Sequence, residues 1–365
     1  MAIKRTKIDE VYEQDFWNDD SQASSPEDIF SFTEIRSCAD IYRMFQSGVL
    51  DLQPDFQRDV VWKKPDRTRF IDSIIKGFPI PSLCFSYDSK KQKWLVIDGL
   101  QRISTIIAFL DKDENEETYS DLDDVETRIA GRTAKEIRQD ERCKDIVTRI
   151  ENCSLPLMVL RCDYSKKDHL AFLFTVFHRL NSTGVKLNNQ EIRNCIYAGS
   201  FNKMLRDLDS FDDWVRLIKK KRNENDRMRS QELILRFFAF HFCLNSYEGK
   251  LTSFLNTYMD NNKNISQDFI DVYSALFKQT ISCLYSLISE SYIDKSRLSL
   301  VVLDSILYGI SKNLQAFLEI RKQEQAYRIN RALLLEVFSE ENLSGGIMKK
   351  NKLMSRMIAV EEALR

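Results

Sequence analysis

The apolar positions of this chain follow one rhythm up to about residue 165 and another after it. In the first part, short apolar runs alternate with amphipathic stretches. "FTEIRSCADIYRMFQSGVLDL" predicts a short strand and then a helix that ends near Gly48 and leads into extended chain at Leu50, Asp51 and Leu52. "RTRFIDSIIKGFPIPSLCFSYD" predicts a helix, a turn and a strand. Gly77 suits the left-handed position past the helix end, and Pro79 and Pro81 prevent its continuation. "DSKKQKWLVID" reads as a polar turn feeding a strand, and "SLPLMVLRCDY" as one more strand. Residues 111–150 between them are highly charged, and the middle of that span reads as an insertion. After residue 165 the spacing of apolar residues becomes three and four and stays so, through "KKDHLAFLFTVFHRLN", "NNQEIRNCIYAG", "FNKMLRDLDSFDDWVRLI" and "SQELILRFFAFHFCLN". No repeat at a fixed period is present. The fold class expected is therefore α+β in the N-terminal part, followed by an all-helical C-terminal part.

Charge narrows the partners. Lys and Arg total 54 and Asp and Glu total 55, a formal net charge of −1, so no global basic surface announces nucleic acid. The eight cysteines form no C-x-x-C pair and read as reduced thiols in apolar positions. The opening MAIKRTKIDE turns acidic at once, which argues against a secretory signal, and no run has the length of a membrane span. A cytoplasmic location is expected. Residues 1–31, polar and acidic, read as a loosely held arm.

The densest chemistry lies in "WLVIDGLQRISTIIAFL", from Trp94 to Leu110. A strand runs into Asp98, and a helix follows Gly99. A helix start presents unpaired N–H groups and the positive end of the dipole. Gly99 lets backbone approach a ligand, Arg102 adds a forked cation, and Ser104 and Thr105 add hydroxyls. Together with the N–H groups at Gly99, Leu100 and Gln101 they form a candidate phosphate cradle. A plainer account is a capped helix with Asp98 paired to a structural arginine, and spacing alone leaves the two level.

Context adds to the first. "LQPDFQRDVVW" precedes a helix, "GFPIPSL" follows it, then comes "VIDGLQRIST", and later "FHRLNSTGVKLNNQEIRN". This ordered set resembles the GmrS-like domain of GmrSD-type modification-dependent restriction systems, within the wider ParB/sulfiredoxin-like fold group. The resemblance covers roughly residues 30 to 260. The family motif typically reads D-G-Q-Q-R; here Leu100 stands where the first glutamine would be, which removes a side-chain amide and keeps a backbone N–H. The resemblance implies a ParB-like nucleotide-binding domain at 32–165, and a helical domain at 166–365 whose first helices complete the site. It implies nucleotide binding, often with hydrolysis, coupled to defence against foreign DNA.

The same resemblance assigns further residues. Gln57 and Arg58 would reach phosphates from the opposite side of the helix start. Asn181, Glu191 and Arg193 would face the site of Asp98, with Asn181 and a carboxylate offering hard oxygen ligands to Mg²⁺ held mainly by phosphates and water. Without the resemblance, "RLNSTGVKLNNQEIRN" is a well-capped helix–loop–helix, with Asn188 or Asn189 as the cap and Glu191 in the first turn. The basic cluster 219–222, with Arg227 and Arg229, is either a solvated face or a contact to DNA or nucleotide. Trp62 reads as a core or lid aromatic, and the Phe-rich "ILRFFAFHF" as core. His169 and His178 read as packing or surface residues. Three histidines, none after His241, give no H-N-H nuclease pattern.

The function expected is a nucleotide-binding, NTP-hydrolysing sensor or regulator in a prokaryotic defence system, Mg²⁺-dependent, with the base of the NTP open. Asp98 and Glu191 are the candidate catalytic acids, and the effector would be a partner protein. Two other functions remain: a ParB-type DNA-binding clamp, and a ParB-like nuclease. DNA contact and a homodimer stay open.

Overall fold

A computed structural model of the chain describes residues 24–52, 62–111, 118–180, 188–218, 228–294, 296, 298–343 and 345–365. The chain divides into two compact units, Ala23–Leu187 and Asn188–Arg365. The first is built on one five-stranded sheet. Its elements run β1 (Phe30–Ser37), α1 (Cys38–Gln46), β2 (Leu50–Asp51), α2 (Lys64–Ile75), β3 (Leu83–Asp88), β4 (Lys93–Asp98), α3 (Leu100–Leu110), α4 (Ala134–Gln139), α5 (Lys144–Glu151), β5 (Ser154–Cys162) and α6 (Lys167–Leu180).

The spatial order is β1-β5-β3-β4-β2. β1 pairs antiparallel with β5, β5 parallel with β3, β3 antiparallel with β4, and β4 parallel with the short β2. The last strand in sequence is thus inserted between the first and the third. Leu83, Phe85, Val96, Leu155, Leu157 and Val159 face one side and pack with Ile41, Ile71, Ile74, Ile103, Ile106, Ile146 and Ile150 from α1, α2, α3 and α5. Each such side chain, fully buried, contributes about 1.5–3 kcal/mol. The alternate residues Ser86, Leu95, Ile97 and Leu160 are buried too. That second buried face is why these strands read as near-continuous apolar runs.

Local chemistry explains the element ends. The Ser37 hydroxyl accepts from Asp40 N–H at 3.0 Å while the Asp40 carboxylate accepts from Ser37 N–H, a reciprocal cap for α1. Pro65 lies in the first turn of α2, where no N–H is needed. The charged span after α3 differs from the expected insertion. Ile129, Ala134, Ile137, Cys143, Ile146 and Ile150 are all but fully buried and belong to the main core. α4 and α5 have six and eight residues, so each shows only one short apolar stripe among many charges.

The second unit is helical among the described residues: α7 (Asn189–Ile196), α8 (Ser200–Asp209), α9 (Asp212–Ile218), α10 (Arg229–Cys243), α11 (Leu251–Asn262), α12 (Gln267–Ser289), α13 (Leu300–Lys312), α14 (Leu314–Glu319), α15 (Lys322–Ala332) and α16 (Lys350–Leu364). α13 is buried from Leu300 to Ser311 and α10 from Ser230 to Phe240, so these two are its central helices. No helix among the described residues is long and apolar enough to cross a membrane.

Candidate functional site

Strands β3 and β4 are antiparallel, so the end of β4 lies beside the start of β3, with Asp98 opposite Cys84. The chain then turns into α3 through Gly99, which has φ +95° and ψ +15°. That conformation strains any residue with a Cβ. Space forbids one as well: a Cβ here would sit 2.2 Å from Leu83 Cδ2 and 3.2 Å from Arg102 Nη2. Gly99 also has no side chain to cap α3. The N–H groups of the first turn therefore point outward without an intrahelical acceptor, as at any helix start.

Arg102 is held beside them. Its Nη2 donates to Asp98 Oδ2 at 2.8 Å, and its Nη1 donates to the Pro81 carbonyl at 2.6 Å. The Arg102 side chain is 15% exposed and that of Asp98 is 38% exposed. Burial pulls the Arg102 guanidinium below the usual arginine range, and Asp98 opposes that shift. Burial, aided by the negative charge of Asp98, pushes the Cys84 thiol up to about 12, so Cys84 is a packing residue. The plainer expectation, Asp98 paired with an arginine, is therefore present. A phosphate taking this guanidinium would exchange one charged hydrogen bond for another, each worth roughly 1.5–3 kcal/mol.

The remaining motif residues take different places. Gln101 Oε1 accepts from the Trp62 backbone N–H at 3.3 Å, tying the segment ahead of α2 to the turn. Trp62 packs edge-on against Phe70, with ring centroids 5.4 Å apart, as a core-side aromatic. Leu100 packs against the core, and Ser104 is half-buried. Thr105 is buried and donates to the Gln101 carbonyl at 2.7 Å, so its hydroxyl is committed to the helix. Gln57 and Arg58 lie outside the described residues, as do Asn181, residues 219–222 and Arg227.

Glu191 and Arg193 sit in the helical unit, both fully buried on α7. Asn188 caps this helix: its Oδ1 accepts from Glu191 N–H at 2.9 Å, and Glu191 Oε2 accepts from Asn188 N–H at 2.7 Å. Arg193 donates to Glu232 Oε2 at 3.0 Å, Asn256 Oδ1 at 2.8 Å and Gln190 Oε1 at 3.2 Å. Glu232 also binds Arg236, which reaches Asp304, so four charges alternate in sign from α7 through α10 to α13. Arg193 could reach a phosphate only by abandoning these partners. The described residues thus bring Asp98, Gly99, Gln101 and Arg102 together in one turn.

His169 is buried. Its Nδ1 accepts from Asp163 N–H, and its Nε2 faces Asp28 Oδ1 at 2.9 Å, which makes it a structural pin. Among the described residues no three of His, Cys, Asp or Glu come together as a metal site. The donor set here fits a divalent cation only as one bound through Asp98, with phosphate and water supplying the rest. Sequence reasoning missed the Pro81 carbonyl and Leu83. Both lie in or next to "GFPIPSL", whose prolines place the loop against the turn, but nothing local signals that contact.

No curated protein and no solved structure matches this chain. One family model does, described as GmrSD restriction endonuclease, N-terminal domain, over residues 38–198. The match runs from the first residue of α1 to just past α7 and includes the whole turn at Asp98. Residues 38–198, somewhat under half of the chain, thus match the N-terminal domain of GmrSD-type restriction endonucleases.

Proposed function

We propose that the α+β unit is a ParB/sulfiredoxin-like nucleotide-binding domain that takes an NTP by its phosphates at the turn from Asp98 to Arg102. Hydrolysis there serves as a signal to a partner effector in the restriction system, in the cytoplasm where NTPs are plentiful. One observation carries this reading. A left-handed glycine opens the start of an eleven-residue helix, and a guanidinium is held beside it by Asp98 and the Pro81 carbonyl. The phosphates would take the first-turn N–H groups and draw Arg102 from Asp98. Asp98, released, would orient water or a water on Mg²⁺; the cation would neutralise phosphate charge. Arg58 is proposed for the far side of the phosphates, and Asn181 for the cation.

The test is a thermal-shift screen of the full chain with each of the four NTPs, with and without Mg²⁺. A ligand at a hundred times its dissociation constant adds about 2.7 kcal/mol, a clear rise in melting temperature. A rise with at least one NTP that disappears in Arg102→Ala supports the reading. No rise with any NTP, together with salt-sensitive binding of DNA, would move the clamp reading to first place.

A further inference from the structure

Two cysteines of the α+β unit stand side by side just past the end of the β1–β5 ladder. The β1–β5 register sets Ser37 opposite Ser154. One step further brings Cys38 opposite Cys153, and Cys38 N–H donates to the Cys153 carbonyl at 3.1 Å. The Cys153 N–H turns back to the Ile150 carbonyl at 3.2 Å, so one backbone bond joins the two residues. Cross-strand neighbours have Cα atoms roughly 4.5–5.5 Å apart, within the roughly 4.4–6.8 Å that a disulfide spans, and each thiol acts on the ionisation of the other. Cys38, the first residue of α1, is fully buried, while Cys153 is half-buried and open to a small reagent.

The two thiols are unequal. Its neighbour Cys38 lowers the Cys153 thiol to about 7, whereas Cys153, with burial, raises that of Cys38. The neighbouring buried thiols differ from Cys153, since burial pushes Cys84 up to about 12 and Cys162 up to about 11. Thiolate character and access together select the attacking sulfur.

We propose that Cys38 and Cys153 are an oxidation site, at which a hydroperoxide closes a disulfide that fastens the β1–α1 junction to the start of β5. The Cys153 thiolate attacks the outer peroxide oxygen. The O–O bond breaks, the departing oxygen takes a proton, and Cys153 becomes a sulfenic acid. Cys38 then loses its proton and attacks the Cys153 sulfur; the S–O bond breaks and the oxygen leaves as water. The dithiol gives up two electrons and two protons, and hydrogen peroxide becomes two waters. Among the described strands β1 lies at the edge of the sheet beside β5, so the new bond fastens an edge element to its neighbour.

The experiment treats the full chain with hydrogen peroxide or with dithiothreitol, blocks free thiols, and maps unreduced peptides by mass spectrometry. The expected product is a Cys38–Cys153 linked peptide, lighter by two hydrogens than its parts. A rise in melting temperature should accompany it, reversed by dithiothreitol and absent in Cys153→Ser. In Cys38→Ser, Cys153 should stall as a sulfenic acid that a dimedone probe captures. Two results overturn the proposal in the unmutated chain: Cys153 carried on to sulfinic acid with no linked peptide, or linkage spread over Cys84 and Cys162 as readily.

Discussion

Replacing Gly99 with alanine should destabilise the α+β unit by about 2–5 kcal/mol. The first part of that cost is conformational. An L-residue held at φ +95° gives up roughly 1–2 kcal/mol. The second part is steric. The new Cβ would lie 2.2 Å from Leu83 Cδ2, where ordinary contact begins at 3.4 Å. Leu83 is fully buried in the core, so an overpacking cost of about 1–3 kcal/mol follows. Against a domain stability of roughly 5–15 kcal/mol the effect is large. It is measured by urea titration of the full chain, with Trp62 and Trp94 reporting this unit and hydrogen exchange of β4 and α3 locating the loss. Leu83→Ala separates the parts. In that background the space is open, and Gly99→Ala should cost only the backbone share of about 1–2 kcal/mol. An equal cost in both backgrounds would refute the clash, and a cost well under 1 kcal/mol in the unmutated chain would refute the whole argument.

Four further outcomes are expected. Arg102→Ala should keep the fold and weaken NTP binding at least tenfold by calorimetry, in line with a charged hydrogen bond of roughly 1.5–3 kcal/mol. Asp98→Asn should hold or improve NTP affinity while cutting turnover, and unchanged turnover would remove the carboxylate from the chemistry. Arg193→Met should cost the helical unit roughly 3–5 kcal/mol, because it strips a buried partner from Glu232. Glu232→Gln added to it should cost less than the two singly. His241 is held down to about 4, by burial and then by the Lys312 cation. Its neutral form is the one the fold accepts, so its contribution is complete above about 6.5, fades as pH falls and is lost through about 4. A stability titration of His241→Gln should be flatter across that window.

What the sequence disclosed and what it hid divide along contact distance. Gly99 at the turn, Gly77 after α2, and the Asn188–Glu191 cap are all local: each residue's role is fixed by neighbours within four positions. The Phe-rich helix was legible as core for the same reason, and Phe237, Phe238 and Phe240 are buried while Phe242 is 42% exposed. The sheet order was not legible, since β5 enters between β1 and β3 after the charged span and carries no local sign of its neighbours. The site shows the same split. The turn could be named from five residues, but the hold of Pro81 on Arg102 crosses 21 positions and the hold of Glu232 on Arg193 crosses 39. The buried stripes of α4 and α5 stayed hidden because each helix is too short for a pattern to stand out from its charges.

The alternating charges Arg193, Glu232, Arg236 and Asp304 bear on how this chain can vary. Each buried charge has its opposite on a different helix or a different turn, so losing any one takes a buried counter-charge from its neighbour. Single steps through sequence space at these positions cross a deep fitness valley, whereas a concerted exchange to apolar residues does not. Descendants of a common ancestor should therefore carry the quartet whole or have discarded it whole, and the four columns should co-vary even where the surrounding helices have drifted beyond recognition.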